Sequence, residues 1–352
     1  MNTSVPHSRA LTLIRFGWVP KTNLDRPGAE ATRSLRGITY QALSIGSKIL
    51  LLGVVPEAGE KQMKTFVLAL LLVGFAQTGV ADEFGSHWFD GKAELDAYRI
   101  TVNRYGQART GHAVAIYVTE PFSESKRVKA DRQREGDTFN ALKLNLVRDF
   151  QTGIYDYNTM LSVFVRSDDF SLSKVSFSSA EWCGHVYEEL LFYPGRVEGE
   201  LFSYFENESE SIDLGHPENG VSEDALFILL RGLRGEALAA GETMTVPFLP
   251  SPYVTRLTHK RLAWTQAEIK RRFENELVTV PAGSFETMVY DVSVADDGRE
   301  GTFYVETAYP HRIVRWNLSP DTSAEMTGSM RVPYWSLNGN AHERYLKELG
   351  LE

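Results

Sequence analysis

Between Tyr98 and Leu318 the chain is written in short runs whose apolar side chains return at every second position, and turn-forming Gly, Pro, Asn or Asp residues separate them. This texture limits the possible folds more than any other feature. Period two marks a strand with one buried face, because successive side chains leave a pleated sheet on opposite sides. "AELDAYRITVNRYGQARTGHAVAIYVTEPF" carries two such runs, Tyr98/Ile100/Val102 and Val114/Ile116/Val118, divided by a Gly-bearing turn as in a hairpin or meander. "NALKLNLVRDFQTG" sets Leu142, Leu144 and Leu146 on one face and Lys143, Asn145 and Val147 on the other, a strand with one wet side. From Leu262 to Leu318 a long antiparallel ladder is expected, turned by "VPAGSFE" at Pro281 and Gly283 and by "DDGRE" at Gly298.

Two segments read as helices: "SEDALFILLRGL" behind a Ser222 cap, and "NAHERYLKELG" between an Asn340 cap and a Gly350 stop. So many strands without intervening helices predict a mainly β fold. Its antiparallel sheet must curl into a barrel, half-barrel or sandwich to hide its apolar face, with two short helices added. The acidic, Gly- and Pro-punctuated stretch "ENESESIDLGHPENGVSED" is expected to be a solvated loop, possible as a sub-domain boundary near 206–224. With one cysteine, Cys183, no intrachain disulfide is available, so the fold is expected to rest on apolar burial.

A second start is written inside the chain. "MKTFVLALLLVGFAQTGVADEF" begins at Met63, follows Lys64 with about ten apolar residues, and reaches the small residues Gly79, Val80 and Ala81 before Asp82. That run is too short to cross a hydrocarbon layer of ~30 Å, so it reads as an export signal over 63–81, cleaved between Ala81 and Asp82. The mature protein is then expected to be periplasmic or secreted, without a transmembrane span. Residues 1–62 read as an over-extended start or leader, within which "KILLLGVV" is a second, less complete signal. Charge divides at the same place: Lys and Arg exceed Asp and Glu by four upstream of Met63, whereas the whole chain is −9, which leaves 82–352 at −14. So acidic a body is a poor partner for nucleic acid and for anionic lipid.

Chemistry gathers in "SSAEWCGHVYEELLF". As one strand it would put Glu181, Cys183 and His185 on a shared face, a thiolate with a base or part of a metal site. The alternative is a small buried Cys beside a hydrogen-bonded His, since i and i+2 on a strand lie ~6.5 Å apart, long for direct proton transfer. There is no second cysteine and no HxH or HExxH, and no metal or other cofactor is expected. GxSxG, GxxxxGK[ST] and GxGxxG are absent too. Aromatic residues are spread over many strands, and Tyr155, Tyr157, Trp182, Tyr204 and Trp264 are the candidates to line a concave cleft for an apolar or sugar-like ligand.

"HWFDGKAELDAYRITVNRYGQARTGHAVAIYVTEPF", "LKLNLVRDFQTGIYDYNTMLSVF", "SSAEWCGHVY", "SYFENE" and "VPYW" resemble an uncharacterised family of exported bacterial proteins often labelled septum formation inhibitor Maf. The resemblance covers most of 82–352 and none of 1–62. "VPAGSFETMVYDVSV" and "GTFYVETAYPHRIVRW" are similar to a periplasmic β-rich domain of unknown function. True Maf pyrophosphatases have an α/β build and an SxSxRR type of start, neither of which occurs here. The resemblance therefore implies export and a β fold, and contributes no catalytic residue. Three functions follow as expectations: a non-catalytic binding or envelope-associated module, a thiol enzyme centred on Cys183 and His185, or a scaffold docking an envelope protein partner, for instance around "RVPYW" and the terminal helix.

Overall fold

The computed structural model describes residues 32–35, 38–45, 48–54, 82–318 and 322–351. The expected export signal, with its boundary residue Ala81, lies outside them; Asp82 is the first residue described after it. The chain divides into two compact units, at Val80 and Ala81. In the first, β1 (Thr32–Leu35), β2 (Ile38–Ile45) and β3 (Lys48–Val54) form an antiparallel meander, so the described part of the stretch read as a second signal, Lys48–Val54, is a strand.

The second unit starts with a short helix, α1 (Glu83–Trp88). Eight strands then follow without interruption: β4 (Ala93–Arg104), β5 (Gln107–Ser123), β6 (Thr138–Thr152), β7 (Tyr155–Arg166), β8 (Leu172–Glu181), β9 (Gly184–Tyr193), β10 (Arg196–Ser203) and β11 (Glu210–Gly215). Next come β12 (Val221–Ser222), α2 (Leu226–Leu229), β13 (Thr243–Leu249) and α3 (Pro252–Thr258). The chain continues through β14 (Thr265–Arg271), β15 (Glu276–Val280), β16 (Gly283–Val294), β17 (Glu300–Glu306), β18 (Ile313–Leu318), β19 (Thr322–Val332) and α4 (Arg344–Glu348).

Among the described residues, β4 to β19 make one sheet of sixteen strands, antiparallel except where β12 meets β13. β4 and β19 pair at its middle, and from them two arms run outward to the edges β11 and β12. Laid flat, the fifteen strands on this path would put the edges about 65 Å apart at the usual inter-strand spacing. Residues 216–220 join those edges directly, and a linker of that length reaches about 20 Å at most. The sheet has to curl. It is an unclosed, barrel-like roll, the fold class expected from strand texture.

The concave side is filled. Leu142, Leu144 and Leu146 point inward, fully buried, while Lys143, Asn145 and Val147 are half-buried on the other face, as their alternation predicts. α2 sits inside the roll: Leu226, Phe227 and Ile228 are all buried, and Phe227 meets Phe303 and Trp316 edge-on at 5.3 and 5.2 Å. A helix apolar all round belongs in a core. The helix expected behind Ser222 is shorter and begins as a 3-10 turn, Glu223–Ala225, which the Ser222 side chain does not cap. Its acidic start, read as a solvated loop, carries Glu223 and Asp224 into the interior, and the same stretch supplies edge strand β11.

Sequence reading passed over α1 and α3. The signal for α3 was present: Ser251 accepts from the Tyr253 N–H and Pro252 stands in the first turn. At the other end of the chain, the terminal helix is shorter than expected, Arg344–Glu348 without an Asn340 cap, and Gly350 with φ +69° stops it as expected. This segment covers the outer face of β4 and β19, where Leu349 is buried with Ala93, Leu95 and Ala97. Gly328 makes that approach possible, since a Cβ there would lie 2.6 Å from the Glu348 carbonyl oxygen.

One charged cluster is sealed in the core. Arg231 is fully buried and donates to Glu94 at 2.6 Å and to the carbonyls of Pro310 and His311 at 2.9 and 3.1 Å. Its guanidinium lies 4.3 Å from the centre of the Tyr117 ring. Burial works against ionisation of Glu94, but Arg231 and His87 together outweigh it and hold that carboxyl below its usual range. Burial and the Glu94 charge push neighbouring Asp96 well above its usual range.

Candidate functional site

Antiparallel strands reverse direction at each turn, so alternate turns emerge at the same end of the roll. Tyr105 and Gly106 join β4 to β5, Gly153 and Ile154 join β6 to β7, Trp182 and Cys183 join β8 to β9, and residues 204–209 join β10 to β11. The rim made by these turns is aromatic. The Tyr105 and Tyr157 hydroxyls are 2.7 Å apart, and Tyr157 stacks on Phe150 at 4.9 Å. Tyr155 stands 5.8 Å from Tyr157 and 6.3 Å from Trp182, whose indole N–H donates to Asp156 at 2.9 Å. The Tyr204 ring lies against Gly184, where any Cβ would collide with it. The run continues through Phe205 to His259, at 5.4 and 5.2 Å between centres.

Several of these rings face water. Trp182 is 69% exposed and Tyr204 63%, with Tyr105 and Ile154 exposed beside them. An exposed aromatic cluster is the kind of surface that soluble proteins keep for binding. Four of the five ligand candidates, Tyr155, Tyr157, Trp182 and Tyr204, are therefore gathered at one rim. Tyr157 is the buried member of the four. Trp264 is elsewhere: it stacks on His216 at 5.8 Å and 13°, and His216 hydrogen-bonds the Tyr193 carbonyl at the opposite end of β9. It helps hold the seam between the sheet edges.

The Cys183 constellation is different from the one expected. Trp182 and Cys183 form a two-residue turn, so Glu181 pairs with Gly184 and Ala180 with His185. Paired residues share a face, and the turn resets the alternation that would have put Glu181 and His185 together. Glu181 points inward to Arg256, whereas His185 is exposed on the other face. The thiol, expected to be safest when buried, is exposed at the tip. Among the described residues no hydrogen bond joins it to His185, and no group of three or more His, Cys, Asp and Glu side chains is placed to hold a metal.

Sequence reading missed what lies behind the rim. A cavity of about 130 Å³ opens between β9, β10, the 207–210 segment and α3, with Glu188, Glu208, Arg256, His259, Lys260 and Arg261 in its lining. Glu208 accepts from Ser203 at 2.6 Å and pairs with His259 at 2.6 Å; burial opposes its charge, but these contacts keep its carboxyl low. Arg256 donates to Glu181 and lies 4.3 Å over Phe205, yet its Nε and Nη1 have no partner. Glu188 is 2% exposed with one oxygen unpartnered. Burial above all, with Asp224 and Glu210 adding repulsion, pushes it up to about 7. Asp224 is likewise raised to about 7, chiefly by burial. Deeper in the roll, Arg148 is buried 4.8 Å from the Tyr253 ring, and burial lowers its pKa. The signal for these groups was period-two placement: Arg148 shares the inward face of Leu146, and Glu188 that of Leu190.

No protein-family model matches the chain, and no curated protein does. Among solved structures it is similar to a β-barrel-like protein of the domain of unknown function DUF1849 from Brucella abortus. Identity is 8% over 68% of this chain and 97% of that one, with a TM-score of 0.42. It is also similar to a DUF1089 family protein from Pseudomonas aeruginosa, at 10% identity over 56% of this chain and 89% of that one, with a TM-score of 0.32.

Proposed function

We propose that this chain is a non-catalytic binding module, exported behind residues 63–81, that holds a glycan against its aromatic rim. The observation carrying this reading is the gathering of exposed Trp182 and Tyr204, with Tyr155, beside a cavity lined by carboxylates and cations. A sugar ring presents C–H bonds on its face and hydroxyls at its edge. Aromatic faces, negative at their centres, suit the first, and carboxylates and guanidinium groups suit the second. A wholly apolar ligand would offer nothing to the buried Arg256 nitrogens and the Glu188 oxygen that lack a protein partner. The thiol-enzyme reading has less support, because Cys183 has no base in contact.

Tryptophan fluorescence of residues 82–352, titrated with soluble neutral and acidic oligosaccharides, tests the reading. A saturable change that is lost in Trp182→Ala is expected. No response to any glycan class, with lipid or a protein partner retained through purification instead, would replace it. N-terminal sequencing of the exported protein is expected to begin at Asp82.

A further inference from the structure

We propose that the cavity behind the rim seats one sugar ring bearing a carboxylate, a uronic acid, whose acid group pairs with Arg256. This deepens the glycan reading and rests on it. Size is the first argument. Holding a water takes roughly 10–15 Å³ of such space, so a cavity of about 130 Å³ accommodates on the order of ten waters, or one pyranose ring with its substituents.

Charge is the second. Two carboxylates of the lining are already engaged, Glu208 by His259 and Ser203, and Glu210 by Arg261 at 3.4 Å. Arg256, 7% exposed, contributes one N–H to Glu181 and keeps two nitrogens unmatched. A guanidinium has five N–H donors and can serve two carboxylates at once. Glu188, on the facing strand β9, supplies the complement: held partly protonated by its surroundings, it can donate to a ligand oxygen where an ionised carboxylate would repel it. Lys260 in the lining adds positive charge, which favours an anion over a neutral sugar.

Calorimetric titration with free glucuronate and galacturonate, against glucose and galactose, tests the cavity without involving the rim. Uronates are expected to bind at least tenfold more tightly than the neutral sugars. Arg256→Lys is expected to reduce that preference fivefold or more, with folding checked by circular dichroism. Because the Glu181 contact makes this variant vulnerable, Leu201→Phe provides a second test: it fills the cavity from β10 and is expected to abolish uronate binding. Equal or absent affinity for the uronates, while neutral oligosaccharides still quench the rim, would overturn this inference alone. Uronate binding without any oligosaccharide response would overturn the rim reading alone.

Discussion

Two buried arginines in this molecule have opposite circumstances. Arg231 is closed in by Glu94, two backbone carbonyls and the Tyr117 face, which leave a single nitrogen, Nη1, without a partner. Arg256 has one carboxylate partner, an aromatic ring beneath it, and a cavity that it helps to line. Both guanidinium groups are desolvated, and only the first is substantially compensated by the protein itself. Largely compensated charge inside a fold is architecture, whereas less compensated charge lining a cavity is a place for something else to bind.

The most severe test of this contrast is Arg231→Met. It leaves Glu94 buried without its counter-ion, and a loss of about 3–5 kcal/mol is expected in urea denaturation. A loss below about 1 kcal/mol would remove Arg231 from the architecture.

Titration comes next. Glu188 and Asp224 have folded pKa values near 7, above their unfolded ones, so their contribution is intact below the unfolded pKa and is lost as pH rises through the folded value. Stability should therefore fall between pH 5 and 7 by about 1.4 kcal/mol per pH unit for each group that stays protonated. Glu94 works in the opposite sense: its carboxyl is held low, and its contribution is lost as acid protonates it. Glu188→Gln combined with Asp224→Asn is expected to flatten the fall toward neutrality and to leave the acid limb in place. An unchanged slope would mean that neither group is protonated in the folded state.

The smallest effects separate the two tryptophans. Trp264→Ala opens the seam beside His216 and should cost about 2–3 kcal/mol, because a packed ring is lost. Trp182→Ala removes a ring that faces mostly water and should change stability by less than about 0.5 kcal/mol. Comparable losses at both positions would show that the rim is structural.

How legible all this was varies with the distance over which it was decided. Hairpins such as β4–β5 could be read directly, since alternation and a nearby turn set them. Tyr98, Ile100 and Val102 are fully buried as their spacing predicts, and "VPAGSFE" turns between Val280 and Gly283. The candidate site was legible in part. Four of its rings could be named from sequence and were expected to line a concave cleft, but not that they would gather at a rim, because Tyr204 reaches Gly184 only through the pairing of β10 with β9. Local reading failed where a tight turn was taken for a strand: two residues at Trp182 and Cys183 were enough to send Glu181 inward and His185 outward. It failed again at Glu223 and Asp224, where acidic composition suggested solvent and the chain turns into the core.

From the sequence alone followed a mainly β chain with one wet face on its strands, no disulfide, an acidic body and turns at definable places, because side-chain alternation and turn chemistry operate over a few residues. The curl of the sheet, the sealing of Arg231, the opening beside Arg256 and the separation of Trp182 from Trp264 were decided by pairings between strands far apart in the chain. Those depend on which faces and edges meet after the sheet curls, and no window of neighbouring residues contains that information.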